Sequence, residues 1–148
     1  MRIKIALKYG LIITLVVVAW IVIVRFVMEV GPDSNVHAAG PLMFNLAEFV
    51  SIYFGINQWK GQLGDGFTFK EGMKTGILIS LVYAISSCFF FVIQYLIAGP
   101  KLLMSEAGLQ SRPVWQIALM AYAGLFFGAL ILGLLYSAVS AFFLARQR

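Results

Sequence analysis

Four side chains carry chemistry that does not match their surroundings. Arg25, Glu29, Asn45 and Glu48 all fall in or beside long apolar runs. An ionisable group in such a run is costly, and it is either matched by a partner or used as an ion ligand, proton carrier or counter-ion. Arg25 and Glu29 lie one helical turn apart, with the basic residue first, which is the weaker orientation for such a pair. Asn45, Glu48 and Gly55 share one helical face, with Ser51 at its margin, and a stripe of that kind should face protein or water rather than lipid. Counted from the ends of their runs, Glu48 and Arg25 come to similar depth on neighbouring, antiparallel segments. Glu48 is therefore expected to point inward and to pair with Arg25 in a structural ion pair. A polar path for a solute, lined by the same stripe, is the alternative.

Other chemistries find little support. The single Cys88 sits in an apolar run and the single His37 in a polar one, so neither a disulfide framework nor a metal-ligand spacing is present. Gly64-Asp65-Gly66 lacks the Gly-Lys-Ser/Thr ending of a phosphate loop. No Ser/His/Asp set stands out, and neither catalytic chemistry nor a cofactor is expected.

The elements that would position these residues follow from composition. Of 148 residues 61% are hydrophobic and only 11% charged, against roughly half and a quarter in soluble domains. The expected fold is a single all-α integral membrane domain over residues 1–148. Its four transmembrane helices, about residues 5–28, 42–59, 73–98 and 114–144, form two similar helical hairpins. The second is the least apolar. Arg25 and Glu29, between the first run and a signal-like Val36-His37-Ala38, favour an uncleaved first span. Asp65-Gly66 reads as a turn requiring positive φ, Thr68 with Glu71 as a capping box, and Gly99-Pro100 as a helix end.

The net charge of +5 is distributed to set orientation, with membrane lipids rather than nucleic acid as the partners. Arg2, Lys4, Lys8, Lys60, Lys70, Lys74, Arg146 and Arg148 fall on one side, and Lys101 and Arg112 on the other, with Arg25 near its boundary. Basic residues mark the cytoplasmic side, so both termini are expected there, in a bacterial inner membrane.

Small residues recur every four positions: Ala6, Gly10 and Thr14; Gly72, Gly76, Ser80 and Ala84; Gly124 and Gly128; Ala129, Gly133, Ser137 and Ala141. Such rows let helix backbones approach closely in lipid. The main expectation is packing within the bundle, and the second row on the last helix leaves room for a membrane-protein partner or a second copy. Lys8-Tyr9-Gly10 and Lys74-Thr75-Gly76 occupy one register, which suggests an internal repeat.

Tyr53-Phe54-Gly55-Ile56-Asn57-Gln58-Trp59, followed by Gly66-Phe67-Thr68-Phe69-Lys70-Glu71-Gly72-Met73-Lys74-Thr75-Gly76, resembles an uncharacterised family of small bacterial four-span membrane proteins, domain of unknown function forty-one ninety-nine. Lys8-Tyr9-Gly10 fits the same family. The resemblance implies topology and a bacterial inner-membrane setting, but no activity. A non-enzymatic accessory or scaffold role, binding a membrane protein, lipid or a second copy, is the expected function. A small oligomeric transporter or channel is the alternative.

Overall fold

The computed structural model describes residues 1–28, 39–99 and 113–146, with the backbone only at residues 25, 26 and 98. These residues form four long helices and no strand. Helix α1 is Arg2–Val22, prolonged by a π turn at Ile23–Val27. Helices α2, α3 and α4 are Gly40–Leu63, Phe69–Ala98 and Val114–Arg146. The elements expected from sequence are all present, with α2 extending further at both ends. Pro41 in its first turn suits a position where no N–H is needed.

The α2–α3 connection corrects one expectation. Positive φ falls on Gly64 (54°), not on Asp65-Gly66. The reason is that the reversal begins as a helix cap: the Gly64 N–H donates to Lys60 O, and the left-handed residue ends α2 before the short turn Gly64–Gly66. Thr68 then accepts a hydrogen bond from Glu71 N at 3.3 Å. Only that half of the capping box is described, because the Glu71 carboxylate turns to Arg2 and Lys74. Gly99 ends α3 with φ 72°, as expected.

α1 packs on α2 and α3, α4 packs on α2 and α3, and α2 reaches across to α3. The closest packing joins α3 to α4. Gly72 faces Ala141, Gly76 faces Ser137, and Ser80 faces Gly133. A Cβ on Gly72 would stand 2.7 Å from the Ala141 Cβ, and one on Gly76 2.6 Å from the Ser137 Cβ, closer than real side chains approach. Ala84 and Ala129 hold the next position in this antiparallel register, and both are buried. The two small-residue rows are therefore the two halves of one seam. The hydroxyls in it are satisfied along their own helices, Ser80 to Gly76 O at 3.2 Å and Ser137 to Gly133 O at 2.5 Å. The row on α1 packs on α3: a Cβ on Gly10 would meet Val82 at 2.6 Å, and the Thr14 and Ser86 hydroxyls lie 2.5 Å apart.

α1, α3 and α4 are long and apolar enough to cross a membrane; α2 is not among them. Leu15, Phe89, Leu96 and Ile131 are each more than 60% exposed. Apolar surface on this scale is foreign to a water-soluble monomer and is that of a membrane protein.

Substitution at the seam should separate packed glycines from open ones. Gly76→Leu should lower stability in detergent by at least about 1–3 kcal/mol, the usual cost of overpacking. Gly124→Ala and Gly128→Ala, where a Cβ would meet nothing within 4 Å, should leave the thermal midpoint unchanged or raised.

Candidate functional site in the groove between α2 and α4

Beyond Gly40 in its first turn, the buried face of α2 consists of Glu48, Ser51, Ile52, Gly55 and Ile56. Their spacing is that of one helical stripe, so the polar members are turned inward with the isoleucines. Glu48 is 2% exposed. The Ser80 hydroxyl lies within reach of its carboxyl group, and its Oε1, sealed from solvent, stands 2.9 Å from the point a Gly133 Cβ would occupy. The carboxyl group therefore rests on the rung formed by Ser80 and Gly133. Only a glycine there leaves room for it.

Asn45 lies about one turn towards the start of α2. Its amide donates to Pro41 O at 2.7 Å, and its Oδ1 accepts from the Tyr136 hydroxyl at 3.1 Å. Phe49 meets the Tyr136 ring edge-on at 5.5 Å between centroids. Pro41 and Asn45 border a groove of about 210 Å³. Glu48 and the buried Tyr83 form its floor, Phe44 and Leu125 stand in its walls, and Gly124 and Gly128 run along its α4 side.

The expected site residues divide into three sets. Asn45, Glu48, Gly124 and Gly128 come together at the groove. Gly10, Gly72, Gly76, Ser80 and Gly133 are consumed by the helix seams. The Arg25 side chain and Glu29 lie outside the described residues, and with them the Arg25–Glu29 and Arg25–Glu48 pairings. Tyr83 and Tyr136 were not singled out from sequence. The available signal was a tyrosine inside a span, whose hydroxyl needs a partner when buried.

A second cluster lies at the far end of the bundle. Arg2 pairs with Glu71, and its guanidinium lies 4.9 Å from the centre of the Trp59 ring. Lys74 reaches Glu71 at 3.5 Å. Lys60 Nζ donates to Leu144 O at 2.8 Å, a cation on the carbonyl end of α4 where the helix dipole favours it. The charges read from sequence as orientation signals also tie four helices together.

Among the described residues no group of three His, Cys, Asp or Glu is placed to hold a metal ion. The groove's one ionisable carboxyl group can instead serve as a hydrogen-bond acceptor or counter-ion to something entering from the α2–α4 side.

The fold and groove define a helical membrane protein with an acidic group held inside its bundle. Residues 8–107, more than half of the chain, match the family described as Protein of unknown function (DUF4199), and the chain belongs to that family. No curated protein and no solved structure matches the chain.

The Tyr136–Asn45 bond gives a measurable check on the groove. A double-mutant cycle with Tyr136→Phe and Asn45→Ala should return a coupling of about 0.6 kcal/mol, and no more than about 1.7, the range for interhelical hydrogen bonds in membranes. Unfolding in mixed micelles would read it.

Proposed function

We propose that the chain is a four-span protein of a bacterial inner membrane, with both termini cytoplasmic and no catalytic chemistry of its own, acting as an accessory protein that holds another membrane component in the α2–α4 groove. The observation that carries this reading is a coincidence at one place. The Gly124/Gly128 row, unlike the row used in the seam, has no atom within 4 Å of either would-be Cβ, and it borders the groove lined by the buried Glu48, which has no cationic partner among the described residues.

The fourth span is argued from α2 itself. Its 24 residues extend about 36 Å at 1.5 Å per residue, enough for a hydrocarbon core of about 30 Å. Its polar stripe turns towards protein, so the low average hydropathy does not describe its lipid-facing side. The bias of lysine and arginine supports the orientation. Gly10 and Gly76 are both points of close helix approach, Gly10 to α3 and Gly76 to α4, so the reading of two related hairpins rests on the shared Lys-x-Gly register. The transporter alternative draws on the same polar stripe. A path through one copy is disfavoured by Ile52, Ile56 and Ile79, all at 0% exposure in the centre.

Two experiments test this reading. A periplasm-active reporter should be silent after Arg148 and active near Ser34; the reverse pattern would overturn the topology. In a Cys88→Ala background, Gly128→Cys should crosslink in native membranes to a defined neighbour, whereas Leu11→Cys on the exposed side of α1 should not. Equal crosslinking from both positions would remove the groove as the binding surface.

A further inference from the structure

We infer that the groove is a site for an organic ammonium group on a short apolar body, with Glu48 as its counter-ion. This rests on the groove being the binding surface proposed above and adds the chemistry of what it holds. Glu48 is 2% exposed, and the one polar group beside its carboxyl group is the neutral Ser80 hydroxyl. Among the described residues the ion pairs of the bundle centre on Glu71 and none reaches Glu48. A buried carboxyl group is costly to charge without a cation beside it. A ligand N–H that reaches it recovers that cost, so the site favours a donor, and most of all a cationic donor.

The walls decide which kind of cation. A hard metal ion needs about six oxygen ligands. The side-chain oxygens lining the groove are the Glu48 carboxyl group, the Tyr83 hydroxyl and the Asn45 amide oxygen, and the last already accepts from Tyr136. Phe44, Leu125 and Leu132 present apolar surface, and the Tyr83 ring lies at the floor. Apolar contact with an alkyl or aryl body, together with attraction of an ammonium to an aromatic face, suits an amine. The groove has a volume of about 210 Å³ and is open along one side. It admits an ammonium head with a short chain or one ring. The open α4 side at Gly124 and Gly128 is where that body would lie.

Such a head group has two sources, a free hydrophobic amine or the amino group of phosphatidylethanolamine. The test uses the full chain in phosphatidylcholine vesicles with a photoactivatable diazirine hexylamine and the neutral alcohol of equal length, adducts being mapped by peptide mass. The amine should label α2 and α4 at the groove more than about tenfold above the alcohol, consistent with the worth of a buried charge pair. Glu48→Gln should abolish that preference while keeping the alcohol labelling of a folded protein. Gly128→Leu, which fills the groove from the opposite wall, should remove both labels. Competition by added phosphatidylethanolamine would assign the head group to lipid, and its absence to a free amine; either agrees with an ammonium site. Equal labelling by amine and alcohol in the unaltered chain would overturn the inference and leave the groove reading standing, with no dependence on any variant. Retention of the amine preference in Glu48→Gln would overturn it as well. Labelling of neither α2 nor α4 by either probe would remove both.

Discussion

The rest of the bundle depends on how closely α3 and α4 approach. Lipid gives helices no hydrophobic reason to associate, so association rests on packing and on hydrogen bonds between helices. Gly72, Gly76 and Gly133 supply the packing by having no side chain at the points of contact. The approach of these two helices also sets the place of α2. Glu48 fits against the seam because Gly133 is where it is. The groove is thus a product of the seam: α4 spends one small-residue row on α3 and leaves the other, Gly124/Gly128, open beside α2.

Charge is arranged in a contrasting way at the two levels of the molecule. At the Arg2 end, Glu71 has two cationic neighbours and Arg2 covers Trp59. The members of that cluster are partly exposed, and exposed pairs stabilise weakly; their value lies in fixing where the ends of α1, α2 and α3 meet. In the middle of the bundle the hydroxyls of Ser80 and Ser137 fold back on their own helices, and Glu48 has only the neutral Ser80 hydroxyl beside it and no cation among the described residues. An acid so placed is a poor structural device. It is better suited to an interaction completed from outside.

The sequence disclosed the elements through hydropathy and punctuation, and the seam rows through their four-residue spacing. Gly72, Gly76, Ser80, Gly133, Ser137 and Ala141 were legible as rows because small residues interrupt an otherwise bulky apolar pattern. Which row met which could not be read, since pairing is set by register between distant segments. Glu48 was legible as an inward polar residue, while Asn45 on the same face is only half-buried. Tyr83 and Tyr136 were not legible, because aromatic residues in a span are common and only the partner distinguishes them. Gly64 took the left-handed position expected nearer Gly66 because the cap of α2, rather than the turn after it, imposed the reversal.

A seam built on a four-residue repeat resembles a rack whose teeth are nearly identical. Sliding α4 by four residues, about 6 Å along its axis, would bring Gly76 opposite Gly133 and Ser80 opposite Ala129, again small against small. The seam alone therefore does not select one setting. Selection comes from contacts that do not repeat: Lys60 on Leu144 O, Tyr136 on Asn45, and the Glu48 carboxyl group against Gly133. All three belong to α2. The least apolar helix is the pawl that holds the ratchet of the other two.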